Sequence, residues 1–110
     1  MAGWFELSNS SDGQFRFVLK SEDDAILITS ELYKAKNSAE NGIASVQTNS
    51  PMDDRYERKK SSNGKYFFNL KAANHQVIGT STMHATIQER DAVIDAVKTN
   101  GPSQTIKDNT

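Results

Sequence analysis

Apolar and polar positions alternate along two separate stretches of the chain: Phe15, Phe17 and Leu19 with Arg16, Val18 and Lys20, and again Tyr66, Phe68 and Leu70 with Phe67, Asn69 and Lys71. A period of two is that of a strand with one buried face, so each stretch predicts a strand with an aromatic-rich inner side. Each is preceded by a shorter candidate strand, Trp4 to Ser8 and Tyr56 to Lys60, and the connections contain Asp12-Gly13 and Asn63-Gly64. Asp-Gly and Asn-Gly suit tight hairpins in which both central residues take positive φ. After each second strand a polar turn leads to a β-branched run, Ile26 to Thr29 and Val77 to Thr80, which predicts a third strand.

Past the third strands the period lengthens to about 3.6 residues, the repeat of a helix. Ala39, Ile43 and Val46 share one helical face, as do Ile94 and Val97. Asn37-Ser38-Ala39-Glu40 and Thr86-Ile87-Gln88-Glu89 both have the form of a capping box. Asn49-Ser50-Pro51 and Asn100-Gly101-Pro102 are the expected stops. Arg90 stands where Ala39 does, which predicts an aliphatic stem lying over apolar surface with its charge outside.

These elements recur because the chain repeats itself. A shift of 51 places Phe5 to Pro51 on Tyr56 to Pro102 without a gap, with identities at Glu6/Glu57, Gly13/Gly64, Phe17/Phe68, Leu19/Leu70, Lys20/Lys71 and Thr29/Thr80 among others. The predicted fold class is α+β: a tandem duplication of a three-stranded antiparallel meander plus one helix. Half-length units would be marginal alone, so 1–110 is expected to be one domain, with the units sharing a sheet or packing their sheets about a pseudo-twofold axis. Repeat one spans 4–51, repeat two 55–102, and 103–110 is a polar tail. An internal duplication supplies the second unit within one chain, so a monomer is expected.

The run Ser61-Ser62-Asn63-Gly64-Lys65-Tyr66-Phe67-Phe68-Asn69-Leu70-Lys71-Ala72-Ala73-Asn74-His75-Gln76-Val77-Ile78-Gly79-Thr80-Ser81 resembles the YegP-like family of bacterial domains of unknown function. The resemblance covers both copies and the terminal Thr105-Ile106-Lys107-Asp108-Asn109-Thr110. It implies paired three-strand-plus-helix units in one continuous sheet, each followed by a short strand exchanged with the other unit. By that analogy Ser103 to Ile106 would be an added strand. The first copy departs from the family pattern at Leu19-Lys20-Ser21-Glu22-Asp23, and the resemblance brings no activity, cofactor or ligand.

Composition adds little to this picture. Thirteen Lys and Arg stand against 14 Asp and Glu, giving a net charge of −1 that selects no class of partner. The absence of cysteine removes disulfides and thiol chemistry and fits a reducing compartment. The stretch Met1 to Glu6 has neither a basic n-region nor an apolar h-region, no apolar run has the length of a membrane span, and a cytoplasmic location is the expectation. Asn9-Ser10-Ser11 reads as a polar turn rather than a glycosylated sequon.

Candidate chemistry is sparse. His75 and His84 are the imidazoles, both in the second copy, one read as a turn residue and the other as a ring replacing Tyr33. Asp23-Asp24 and Asp53-Asp54 read as solvated loop charges before they read as cation ligands. No phosphate-cradling or nucleophile motif is present, and no catalytic residue, metal or cofactor is expected. Thr29-Ser30 and Thr80-Ser81 could hold a ligand or cap nearby backbone. The one local bias lies around the second copy's first hairpin, where Arg55, Arg58, Lys60 and Lys65 accompany Tyr56, Tyr66 and Phe67. Such a patch suits sequence-indifferent binding of single-stranded nucleic acid, but a solvated sheet-edge hairpin guarded by lysines is the better reading of the same residues. A non-enzymatic binding or protein-interaction module is the first functional expectation, nucleic-acid binding through that hairpin the second, and an enzyme using His75 or His84 the third.

Overall fold

The alternating stretches form strands where the pattern predicts them. The computed structural model describes residues 3–110; Met1 and Ala2, the start of the N-terminal stretch read above, lie outside the described residues. Repeat one contributes β1 (Trp4–Asn9), β2 (Phe15–Lys20), β3 (Ile26–Thr29) and helix α1 (Lys36–Asn49). After a single 3-10 turn at Asp53–Arg55, repeat two contributes β4 (Tyr56–Lys60), β5 (Tyr66–Lys71), β6 (Val77–Thr80) and α2 (Ile87–Asn100). A final strand, β7 (Ile106–Asp108), closes the chain.

The hairpin turns differ from the two-residue form expected at Asp12-Gly13 and Asn63-Gly64. Positive φ is confined to Gly13 and Gly64, each at 82°, while Asp12 and Asn63 stay in ordinary conformations. Gly13 N–H donates to Ser10 O at 3.0 Å and Ser10 N–H to Gln14 O at 2.8 Å, and Ser61, Gly64 and Lys65 repeat the arrangement. This is a three-residue loop ending in a left-handed residue, which needs one glycine rather than two permissive positions. The β2–β3 and β5–β6 loops have the same hydrogen-bond pattern, with Asp24 and His75 at the left-handed position.

The seven strands form one sheet in the order β4-β5-β6-β3-β2-β1-β7. The meanders meet at its centre, where β3 pairs antiparallel with β6 through Thr29 and Thr80. Those threonines are repeat equivalents, so the pseudo-twofold axis passes between them. Close to that axis the equivalents cannot both be large. Ile28 is fully buried, and a Cβ on its equivalent Gly79 would lie 2.8 Å from Ile28 Cδ1. At the helix ends a Cβ on Gly101 would collide with its equivalent Ser50. Gly101 has ordinary helical angles, φ −58° and ψ −36°, so glycine there meets a spatial demand, not a conformational one.

Both helices lie on one side of the sheet, and each crosses the axis. α1 packs on β2 and also on β6 of the other repeat, and α2 packs on β5 and β3. Phe17, Leu19, Ile43 and Val46 are buried in one core with Phe68, Leu70, Ile94 and Val97, as the periodicity predicts. Matched aromatic pairs brace the outer strands: Phe5 meets Phe17 edge-on at 5.9 Å between centroids, and Tyr56 meets Phe68 at 5.5 Å. Burying two such rings is worth several kcal/mol, of order 1.5–3 each.

The helix caps correct one expectation. Thr86 caps α2, its Oγ1 accepting from Glu89 N–H at 3.1 Å. The expected box at Asn37 does not form, because α1 begins at Lys36 after extended Ala35, the repeat equivalent of Thr86, and Asn37 is already helical. Shared register outweighs the better cap residue two positions on. Arg90 lies over apolar surface as predicted, but its charge is not outside: the residue is 8 % exposed, its guanidinium is 5.7 Å from the Tyr66 ring centre, and its Nε donates to Asp91 at 3.2 Å.

The added strand lies later than the family resemblance implies. Ser103 is held by Asn100 O and by its own hydroxyl donating to Gly3 O at 2.6 Å, so pairing begins with Phe5 N–H donating to Thr105 O and the strand runs Ile106–Asp108. β7 lies parallel on β1, with Phe5, Glu6 and Leu7 opposite Ile106, Lys107 and Asp108. It is pinned from the other side by Lys36 of α1, whose amine is 2.6 Å from Asp108.

Candidate interaction surface

The hairpin β4–β5 and the 3-10 turn leading into it carry the four basic residues singled out from the sequence, and the structure divides them. Arg55 turns inward to the end of α1, its Nε donating to Asn49 Oδ1 at 2.8 Å while a terminal nitrogen lies 3.3 Å from Asp54. Arg58 lies on the helix side, 2.9 Å from Asp53 and 3.8 Å from Asp91. Asp53 also receives Lys98 at 2.7 Å, and these two cations, Lys98 first, lower its carboxyl to about 2. Lys60 extends over the Tyr66 ring at 5.7 Å from the centroid. Neither Lys60 nor Lys65 has a carboxylate partner among the described residues. The four residues therefore do not converge on one site: two are held by acids and two point into solvent.

A second surface was not visible from composition. With both helices on one side, the other face of the sheet is uncovered. Across it run Glu6, Val18, Thr29, Thr80, Asn69 and Glu57, contributed by successive neighbouring strands. Lys20 lies 3.3 Å from Glu6, and its equivalent Lys71 lies 3.1 Å from Glu57. The Glu6 carboxyl is lowered by the Trp4 indole donor and by Lys20, that of Glu57 by Lys71 and Asn69. Thr80 Oγ1 donates to Asn69 Oδ1 at 2.8 Å. Apolar groups interrupt this ladder: Ile26 is 47 % exposed, and Trp4 and Phe67 are half-buried, Trp4 lying under the Lys107 amine at 4.2 Å. The signal for this face was present in the identities Glu6/Glu57 and Lys20/Lys71. Their meaning required the strand register that sets each pair diagonally across two strands.

The other candidates resolve locally. His75 is exposed at its left-handed turn position. His84 is half-buried in the place of Tyr33, its backbone bonded to Tyr66 as Tyr33 is to Phe15. Asp23 accepts from Ser21 Oγ, and Asp24 accepts from Lys20. Ser30 and Ser81 serve the backbone, each accepting from the N–H of the second strand, Phe17 and Phe68. A shallow hollow of about 430 Å³ lies at the first hairpin beside Ser10, Asp12, Arg16 and Leu32. Among the described residues no three His, Cys, Asp or Glu side chains cluster as metal ligands would, and no helix is long and apolar enough to cross a membrane.

The two-unit architecture has direct counterparts. The family described as "Domain of unknown function (DUF1508)" matches the chain twice, over residues 10–57 and 61–108. The chain belongs to this family. It is 66 % identical to UPF0339 protein YegP of Escherichia coli K12 over the whole of both chains. It is 62 % identical to a UPF0339 protein of Acinetobacter baylyi over 98 % of this chain and 97 % of that one. The solution NMR structure of the Escherichia coli protein, described as of unknown function, superposes with a TM-score of 0.96 at 65 % identity, covering 100 % of this chain and 95 % of that one. That of a UPF0339 protein from Shewanella oneidensis gives 0.93 at 55 % identity, covering 98 % and 92 %. The α+β duplication is thus the fold of a family to which no specific activity is assigned.

Proposed function

We propose that this chain is a small non-catalytic protein-interaction module, monomeric in the cytoplasm, that docks a partner through the uncovered face of its sheet. One observation supports the reading above the rest: a broad solvent-facing surface combines exposed Ile26 and half-buried Trp4 and Phe67 with a symmetric ladder of fixed charges about Thr29 and Thr80. Fixed polar groups interspersed with aromatic and aliphatic side chains are what a transient interface offers. The test is capture from lysate with wild-type and Thr29→Lys baits, each with and without nuclease. The reading predicts a protein that survives nuclease and is lost with Thr29→Lys while the fold is kept. Capture indifferent to that substitution, or turnover of a small substrate that tracks one side chain, would contradict it.

A second reading is weak binding of single-stranded nucleic acid by the basic hairpin. It is favoured by Lys60 and Lys65, both without acidic partners among the described residues and both on the hairpin that carries Tyr66 and Phe67. Arg55 and Arg58 are already engaged, so about two phosphates could be neutralised, and log K would fall with log salt at a slope of about −1.4. A slope near −3, or one unchanged by Lys65→Glu, would contradict it.

A further inference from the structure

The two outer strands of the meanders are repeat equivalents treated differently. β1 carries β7 on its outer side, with Phe5 N–H donating to Thr105 O at 3.0 Å and Leu7 O accepting from Asn109 N–H at 2.8 Å. β4, its equivalent, is the last strand of the sheet on the other side. Following α1, the chain makes one 3-10 turn and enters β4 directly, so repeat one supplies no segment to do for β4 what 103–110 does for β1. That turn satisfies only the first outward group, Tyr56 N–H, which donates to Asp53 O. By the repeat relation the next outward backbone groups belong to Arg58 and Lys60, the equivalents of Leu7 and Asn9.

The side chains differ in step with the covering. Covered β1 reads Leu7-Ser8-Asn9 where uncovered β4 reads Arg58-Lys59-Lys60. Basic side chains on a bare edge oppose its pairing with a second copy of itself, because like charges would stand opposite one another. They do not oppose an acidic strand. We propose that the β4 edge is a strand-addition site for an extended acidic segment of a partner protein, lying parallel to β4 as β7 lies on β1. This rests on the interaction-module reading and names a second contact and the chemistry of what it takes.

The register follows from the covered edge. An apolar residue would stand beside Tyr56, a basic one beside Glu57 as Lys107 stands beside Glu6, and acids beside Arg58, Lys59 and Lys60. Arg58 already faces Asp53 and Asp91, so its contribution is its backbone N–H and C=O. Lys60, over Tyr66 and without an acid, supplies charge. Main-chain bonds provide affinity in this mode and side chains select the sequence.

The test uses the full chain, isotope-labelled for NMR, and a capped heptapeptide Gln-Thr-Ile-Lys-Asp-Glu-Glu as probe, titrated to millimolar concentration. The proposal predicts shift changes along Tyr56–Lys60 and slowed exchange of the Arg58 amide. It also predicts binding about tenfold weaker for Lys60→Glu, retained by Arg58→Gln and lost in Arg58→Pro. Should Arg58→Pro not fold, the Arg58 exchange rate in the native chain decides alone. The proposal is overturned by no binding, by shifts at Phe5–Leu7 showing displacement of β7, or by binding without slowed exchange. Shifts confined to Thr29 and Thr80 would overturn it while leaving the face-docking reading intact. Equal peptide binding by Thr29→Lys would support the edge even where that reading fails.

Discussion

Exchanging Ile28 and Gly79 across the pseudo-twofold axis gives a double-mutant cycle with calculable arms. Ile28 is fully buried, and Ile28→Gly removes its whole side chain, costing about 3–6 kcal/mol from the lost packing, the cavity and the added chain entropy. Gly79→Ile alone places a Cβ 2.8 Å from Ile28 Cδ1, with three further carbons to house, and overpacking of this kind costs about 1–3 kcal/mol. In the double variant the isoleucine enters from the other repeat into the space that Ile28 vacated. If the axis runs between Thr29 and Thr80, the two changes compensate, and the double variant is more stable than the sum of the singles predicts by about 1–3 kcal/mol. Urea unfolding followed by circular dichroism and by the single tryptophan, Trp4, measures all four corners. Additivity within about 0.5 kcal/mol would refute the reasoning: the side chains would then be independent, and the large-small pairing on the axis accidental.

Three further outcomes follow from the same geometry. Leu70→Ala should cost about 2–5 kcal/mol, since Leu70 is unexposed in the shared core, and a cost under half a kcal/mol in urea unfolding would contradict that placement. The Asp53 carboxyl, lowered from 3.8 to about 2 by Lys98 and Arg58, contributes stability that is complete above 3.8 and is lost as the pH falls through about 2. NMR titration of its carboxyl carbon should give that low midpoint, rising toward 3.8 in Lys98→Met; an unmoved midpoint would exclude the Lys98 contact as the cause. Sedimentation at micromolar concentration should return one chain mass, because β7 pairs with β1 of its own chain; a tight dimer would mean that β7 is exchanged between chains.

Strand alternation and the 51-residue repeat were enough to place six strands and two helices, because one buried face per element leaves its period in the sequence. What they could not show depended on tertiary placement. Nothing local in Ile106-Lys107-Asp108, all exposed, marks a strand; β7 forms because β1 offers it an edge, and the family resemblance implied an added strand only earlier, at Ser103 to Ile106. The cap at Asn37 was misread because a favourable local motif lost to the register shared by Ala35 and Thr86. The basic hairpin was legible as a charge bias but not as two engaged arginines and two solvent-facing lysines, since Asp91 and Lys98 come to it from α2. Glu6/Glu57 and Lys20/Lys71 were visible as identities, yet only the pairing of β1 with β2 and β4 with β5 turns them into a charged ladder on one face.

Site-specific photo-crosslinking on the folded chain tests the interaction-module account most directly. A photoreactive side chain would be placed in turn at Thr29 on the uncovered face, at Lys60 on the β4 edge, and at Glu40 on the exposed side of α1. Adducts would be formed in cells and treated with nuclease before sizing. The account predicts one discrete protein adduct shared by Thr29 and Lys60, resistant to nuclease and absent from Glu40. Adducts that vanish with nuclease, or that form equally from all three positions, would contradict it.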